Sequence, residues 1–464
     1  MNLQQQDKSK TNCCIETTEG FPDLISLHHA NPKRYPFLLE SVVQGGAEAR
    51  YDILFAFPQD SLILDNQYQL TSSCTDVKGN DFLENLDSWW QSDNAFSQQE
   101  LDLPFQGGWF IYLAYEMAGQ IEPKLDLSTH DADDVIAYAV RIPSAIIRDH
   151  VTQRCWLLSE ETHQANNQLM RDDVANIKSI NAQPVSNLLS EISEENGADY
   201  IEAVEKIRRY IVEGDVFQVN LSRQWTATLT QQTSDCELYL SLRKNNPAPF
   251  AGIANYAGFS IISSSPERLV SVKGGCVETR PIAGTRPRGD ELTTDQALSV
   301  ELLAHPKERA EHIMLIDLER NDLGRVCEPG TIDVNELMVL ESYAHVHHIV
   351  SNVRGMARSD VSPGDIIQAV FPGGTITGCP KVRCMEIIAE LEKTSRGAYT
   401  GSMGYLNHNG DMDLNILIRT MTRQGNQLQL RAGAGIVADS IAEKELEETH
   451  DKAKGLLKAL GVSS

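Results

Sequence analysis

The sequence predicts an α+β fold built on large antiparallel sheets. Strand-like runs outnumber helical ones, and the two do not alternate in the regular order that a doubly wound sheet requires. Composition agrees: with 41% apolar and 23% charged residues the chain is globular, and its 464 residues fill roughly two to three domain-sized units or one large enzyme fold.

Before residue 159, residues 50–57 (RYDILFAF) and 135–140 read as strands, and GGWFIYLAYEM carries both signals. Residues 159–198 are rich in Asn, Gln, Ser, Asp and Glu and read as a linker, with Ile177, Leu188 and Ile192 able to support short helices. This divides the chain into a disordered tail (1–19), an N-terminal region (20–158), the linker (159–197) and a C-terminal region (198–460). Residues 199–213 form an amphipathic helix, with Ile201, Val204, Ile207 and Ile211 at helical spacing and Gly214 to close it. Strands are expected at 216–221, 259–263 and 269–272, followed by a turn-rich loop, PIAGTRPRG (281–289). A helix starts near Pro306, which suits a first helical position. Residues 341–353 read as one strand, and FPGGTITGCP as a glycine-rich loop entering a helix at Pro380. Residues 399–406, 414–420 and 428–437 read as strands. A last helix starts at Ser440, where Ser440 and Glu443 have capping-box spacing.

The charge balance narrows the function. With 65 acidic against 40 basic residues the formal net charge is −25, which disfavours nucleic acid and anionic membrane as partners. It also repels an anionic substrate, so a site for one needs local cations. No apolar run approaches the roughly 18–20 residues of a membrane span, and the polar N-terminus has no secretory pattern. Nine cysteines without framework spacing suggest reduced thiols in a cytoplasm.

Several groups of residues suit chemistry. Glu308 and Glu311 on one helix, and Glu445 and Glu448 on another, each have i,i+3 spacing, which puts both carboxylates on one face, and Lys452 joins the second face. On spacing alone these are solvated acidic faces or a Mg²⁺ site between two helices, the first being the simpler reading. PIAGTRPRG shapes a rigid loop around Thr285, Arg286 and Arg288 but lacks a phosphate-loop pattern. In FPGGTITGCPK, Thr375, Thr377 and the following helix start suit either an anion or a plain helix entry. Arg419, in LNILIRTM, is either an edge residue or a buried anion receptor. In AHVHHIV, His345 and His347 share one strand face and His348 takes the other. Glu267, in SSSPERL, is by itself a turn carboxylate.

Taken together, SPERL, PIAGTRPRG, KERAEHIMLIDLERNDLGR, HVHHIVS, FPGGTITGCPKVRCMEII, GSMGYLNHNGDMDLNILIRT and AGAGIVADS, in this order, resemble the chorismate-utilising enzymes, specifically the synthase subunits that aminate chorismate. The resemblance covers residues 198–460, and more weakly 20–158. It implies an anthranilate-synthase-like fold, a sandwich-like core of antiparallel sheets with helices outside. It implies that Glu311 and Glu448 contact Mg²⁺, that Glu308 and Glu445 support it through water, and that the metal holds the ring carboxylate of chorismate. Arg419, Tyr399 and the backbone of Gly433, Ala434 and Gly435 would hold the enolpyruvyl carboxylate, with Lys452 beside the metal. Thr375 would lie at the substrate with Ala283 and Thr285, His348 beside the ring, and Glu267 would be the general acid for the departing C4 hydroxyl.

Two products compete. RYDILFAFP, Asn220 in QVNLS, NPAPFAG and Gly374 in FPGGTITG look like the folate-branch subunits, which make 4-amino-4-deoxychorismate. Ala283 departs from them, because they carry a lysine there that attacks C2, and alanine is the residue of the anthranilate-forming enzymes. The segment LLES, with Leu39, Glu40 and Ser41, resembles those enzymes' tryptophan site. The chain has no glutaminase pattern, so the resemblance implies that a separate glutamine amidotransferase subunit supplies ammonia. A non-catalytic regulatory homologue is the alternative of another class. Isochorismate or salicylate formation, which resembles a lysine-dependent activation of water, is disfavoured by Ala283.

Overall fold

The computed structural model describes residues 13–462 apart from residues 19, 44–49, 75–76, 94–102, 128–134, 181–187, 231–232, 289–290 and 343–345. Most of the expected disordered tail, and His345, lie outside the described residues. The described part of that tail, Cys13–Thr18, is a strand on the edge of a sheet, paired with Arg154–Glu160.

Two sheets, twelve- and eleven-stranded among the described residues, carry the fold. Both draw on both halves of the chain. In the first, the N-terminal strand Phe37–Glu40 pairs with Phe250–Tyr256, and in the second, Gly108–Leu113 pairs with Ser402–Asn407. Their inner faces meet in an aromatic core. Phe37 of the first sheet stacks on Phe110 of the second at 4.0 Å between ring centroids and 1° between planes, and both are fully buried. The residues between the two regions are structured: Ala165–Asn176 is a helix and Leu189–Glu194 a strand paired with Gln218–Leu229. On the other face of the first sheet, helices Leu24–Ala30, Asp235–Asn245 and Ala442–Ala459 bury Leu27, Leu242 and Leu456 against Leu54 and Ile253. The expected α+β fold with a sandwich-like core and outer helices is the fold observed. No described helix is long and apolar enough to cross a membrane.

Local sequence explains many elements. The helix Gly197–Glu213 is capped by the Asn196 side chain and ends at Gly214, whose φ of +87° is left-handed. Pro306 opens the helix Pro306–Gly324 as expected. Four expectations need correction. The segment expected as a loop at 281–289 contains the strand Ile282–Pro287, paired with Val346–Met356, with the register shift that made it look irregular falling at Gly284. The single strand expected over 341–353 is two, Asp333–Ser342 and Val346–Met356, because the chain doubles back between them. The run 414–420 breaks between Met412–Asn415 and Thr420–Gln424, and Arg419 sits in the break at φ +54°. Ser440 does not cap the last helix. Its hydroxyl accepts the Val437 amide at 3.0 Å, and the helix begins at Ala442.

Because the Phe37–Phe110 stack joins the two sheets, Phe110→Ala is expected to cost about 3–5 kcal/mol. Urea unfolding checks this, the expected result being a lowered midpoint.

Candidate active site

The site gathers where the ends of both sheets meet the glycine-rich loop. Glu267 lies between strands Phe259–Ser265 and Arg268–Lys273. The Ile416 amide donates to its carbonyl at 3.0 Å, and the Ser265 hydroxyl donates to the Ile416 carbonyl, so the turn is pinned to the break before Arg419. The Glu267 side chain is 5% exposed. Burial pushes its carboxyl up to about 7, while the Thr375 hydroxyl, the Ile282 backbone and the Lys452 ammonium pull it down less strongly. Thr375 approaches closely, yet among the described residues neither its Oγ1 nor Glu267 Oε1 makes a hydrogen bond of normal geometry. Both therefore have bonding capacity left for a ligand. Thr377, the other candidate in this loop, is spent on the turn: its hydroxyl donates to the Gly373 carbonyl at 2.8 Å.

Arg419 stands on the segment paired with that of Glu267, the Ser264 amide donating to its carbonyl at 3.1 Å. Burial works against its charge, and Tyr399 and Glu448 favour it. It makes no ion pair among the described residues, so the charge is left for a ligand. Tyr399 is 6% exposed, and burial raises its phenol to about 12, which keeps it a hydrogen-bond donor. It closes against the strand Gln427–Ile436, where the register sets Ser222 opposite Gly433, Leu221 opposite Ala434 and Asn220 opposite Gly435. A Cβ on Gly433 would lie 2.6 Å from the Leu221 carbonyl and 2.8 Å from the Tyr399 hydroxyl, so this position needs a glycine.

His348 and Ala283 form the adjoining wall. Burial, helped by the Arg419 charge, lowers His348 to about 4, leaving a neutral ring at pH 7. The backbone of Thr285 pairs with His348, and that of Ala283 with Ile349. Between them Gly284 has a φ of +77°, and a Cβ there would lie 2.9 Å from Glu308 Oε2. His347 is structural: it meets Asp295 Oδ1 at 2.9 Å and the Ser342 hydroxyl at 2.7 Å.

The four glutamates stand on two helices that reach one strand end. Glu311 Oε1 accepts from Gln218 Nε2 at 2.9 Å and lies 3.7 Å from where a Cβ of Gly435 would be. Helix Ala442–Ala459, packed on the same strand, carries Glu445, which is buried, and Glu448, which pairs with Lys452 at 2.7 Å. Glu308 meets Arg286 at 3.2 Å. Among the described residues no three of these groups converge as a ready-made metal cage. The donor chemistry nonetheless fits Mg²⁺, which prefers hard oxygens and usually takes one or two carboxylates plus waters and substrate.

Leu39, Glu40 and Ser41 are elsewhere. They border a separate cavity of about 210 Å³ with Phe250, Met403 and Tyr405. Glu40 is already bound by Tyr239 at 2.6 Å and Arg243 at 3.2 Å, and Ser41 Oγ donates to the Pro249 carbonyl at 3.1 Å.

Three groups escaped the sequence reading. Glu392 is sandwiched between Arg396 at 2.7 Å and Arg431 at 3.1 Å. The i,i+4 spacing of Glu392 and Arg396 was a usable signal; nothing local announced Arg431. Gln218, which orients Glu311, sits in a strand pattern with no chemical mark. Glu319 looked like one acid among many on its helix.

The sequence profile of the chorismate binding enzymes matches residues 40–458. An anthranilate synthase component I-like protein of Synechocystis is 45% identical over 77% of this chain and 73% of its own length. The aminodeoxychorismate synthase component 1 of Bacillus subtilis is 42% identical over 83% of each chain. The crystal structure of anthranilate synthase component I from Streptococcus pneumoniae superposes with a TM-score of 0.78 at 32% identity, covering 89% of this chain and 93% of that one.

Gly433→Ala is expected to displace Tyr399 and lower kcat/KM for chorismate consumption by about 100-fold. Steady-state kinetics check this, with circular dichroism expected to match the parent.

Proposed function

The chain belongs to the family of chorismate binding enzymes, and from that premise we propose that it aminates chorismate to 4-amino-4-deoxychorismate, in 4-aminobenzoate and folate synthesis in the cytoplasm. Ammonia would come from a separate glutamine amidotransferase subunit, with Mg²⁺ as cofactor. The observation that carries the reading is that an acid that keeps its proton to about 7, Glu267, and a cation that has no ion pair among the described residues, Arg419, stand on two segments joined by backbone hydrogen bonds, Ile416 to Glu267 and Ser264 to Arg419.

In this reading Arg419, Tyr399 and the backbone of Gly433–Gly435 hold the enolpyruvyl carboxylate. Glu311 and Glu448 would hold Mg²⁺, with Glu308 and Glu445 supporting it through water; the ion, when bound, supplies positive charge for the ring carboxylate. Lys452 lies beside it. A nucleophile adds to C2, the ring double bond shifts, and the C4–oxygen bond breaks as Glu267 gives its proton to the departing oxygen, which leaves as water. Ammonia then bonds to C4, the double bond returns and the C2 group leaves. Thr375 steadies Glu267, and the neutral His348 lines the ring without repelling Arg419. Ala283 offers no side-chain nucleophile, so water, ammonia or another side chain takes the C2 position.

Ala283 also favours the second reading. Ammonia at C2 followed by loss of pyruvate gives anthranilate. The folate reading is supported by the 42% identity to the Bacillus subtilis aminodeoxychorismate synthase component 1, and by Asn220 and Gly374 in its sequence. The cavity beside Ser41 is proposed as a regulatory pocket for tryptophan.

Chorismate, Mg²⁺ and ammonium, incubated with the purified chain with and without aminodeoxychorismate lyase, separate the products. Lyase-dependent 4-aminobenzoate is expected; lyase-independent fluorescent anthranilate sinks the folate reading. Glu311→Gln and Glu448→Gln are each expected to abolish Mg²⁺-dependent turnover, measured by a magnesium titration of rate. Since Glu267 is raised above its ordinary value, the proton-donating form is present below about 7. Turnover is therefore expected to fall as pH rises through that value, as a pH–rate profile checks.

A further inference from the structure

Tyr399 ends a turn that residues from the N-terminal part of the chain hold in place. The Tyr399 amide donates to the Arg396 carbonyl at 3.1 Å, and Gly397, the second residue of the turn, has a left-handed φ of +57°. The amides of Arg396 and Gly397 both donate to one carboxylate, that of Glu116, at 2.7 and 3.1 Å. Glu116 is 2% exposed. It lies in the short helical turn Tyr115–Met117, and the Tyr68 hydroxyl donates to its carbonyl at 2.8 Å. The Tyr115 amide donates to the Gly397 carbonyl at 2.9 Å, so both polar groups of Gly397 are held by this one segment. The side chains repeat the link. The Arg396 guanidinium carbon lies 4.7 Å from the centroid of the Tyr115 ring and 5.6 Å from that of the Tyr399 ring.

We infer that Glu116 is a positioning residue for Tyr399, acting through the Arg396 and Gly397 amides and the guanidinium that they carry into place. The physical reason is the number of donors to be met. Two successive amides aimed at one point form a concavity for an anion. A carboxylate satisfies both, because it has two accepting oxygens and no hydrogen of its own. A carboxamide in its place has one oxygen, and its nitrogen would set an N–H against the Gly397 amide. With Glu116 present the turn is closed, Arg396 stays against the Tyr399 ring, and the phenol stays at Gly433. Every residue that the proposed function sets on chorismate lies at 267 or later, so Glu116 brings the N-terminal region into the site without touching the substrate. The substrate contact of Tyr399 comes from the proposed function; the link from Glu116 to Tyr399 does not depend on it.

Fluorine NMR of the full chain carrying 3-fluorotyrosine tests the link without turnover, the Tyr399 signal being identified by its loss in Tyr399→Phe. In Glu116→Gln that signal is expected to move, while the signal of Tyr239, bonded to Glu40 elsewhere in the molecule and identified by its loss in Tyr239→Phe, stays in place. Glu116→Asp, one methylene shorter, is expected to move the Tyr399 signal as well, and it carries the test if Glu116→Gln does not fold. The affinity for chorismate, measured with Mg²⁺ and without ammonium, is expected to fall about 10-fold in Glu116→Gln, with kcat changed less. In a Tyr399→Phe background Glu116→Gln is expected to lose no further affinity, since residues that act through one contact are not additive. A Tyr399 signal that keeps its parent position in the Glu116 variants overturns the inference, as does a loss of affinity that persists in full in the Tyr399→Phe background. If Tyr399→Phe binds chorismate as tightly as the parent while the fluorine signal moves in the Glu116 variants, the substrate contact of Tyr399 is refuted and the link stands.

Discussion

Glu392 is the group on which the geometry of the site depends. Its carboxylate is buried between the guanidiniums of Arg396 and Arg431, and it also accepts the amide and hydroxyl of Ser222 at 2.8 and 2.9 Å. The arginines hold this carboxyl below its ordinary value although burial alone would raise it. Arg396 in turn donates to the Asn220 carbonyl at 2.8 Å and the Ile376 carbonyl at 3.1 Å. Its own amide donates to Glu116 at 2.7 Å, from the N-terminal part of the chain. One ion cluster thus fixes the strand facing Gly433–Gly435, the turn carrying Thr375, and the loop leading to Tyr399. Buried ion groups of this kind are strongly destabilising when one member is removed, on the order of 3–5 kcal/mol, which is why such a cluster specifies position more than it adds stability.

The cluster lets the site combine opposite demands. An anionic substrate has to enter a protein with a net charge of −25, so attraction must be local. In the proposed reading Arg419 supplies it from the break between two strands, at a left-handed φ of +54°, where a regular strand would have sent the side chain along a different line. Glu267 supplies the opposite property, an acid held neutral by burial. His348, which feels the Arg419 charge, is neutral at pH 7 and adds no third charge.

Much of this was legible in the sequence. The fold class followed from the strand-rich pattern, and the acid, the arginine, the glycines and the four glutamates stood in the motifs from which the candidate site is read. What was not legible came from tertiary structure. Arg419 reads as a strand residue because Leu414, Ile416 and Ile418 alternate around it, yet the Ser264 amide takes the Arg419 carbonyl at 3.1 Å and the chain breaks there. PIAGTRPRG reads as a loop because its prolines and glycines outweigh the pairing that the partner strand imposes. Arg431 is joined to Glu392 by register across the sheet, which no local spacing encodes, and Glu319 acquires its character only from burial beside Asp322 and Lys381.

The most direct test of the account is a single-turnover reaction of Glu267→Gln with chorismate, Mg²⁺ and ammonium, read by rapid quench together with the affinity for chorismate. The account predicts binding within a fewfold of the parent and no release of the C4 hydroxyl, because Arg419 and its neighbours are intact while the proton is missing. Loss of the hydroxyl at the parent rate would contradict it.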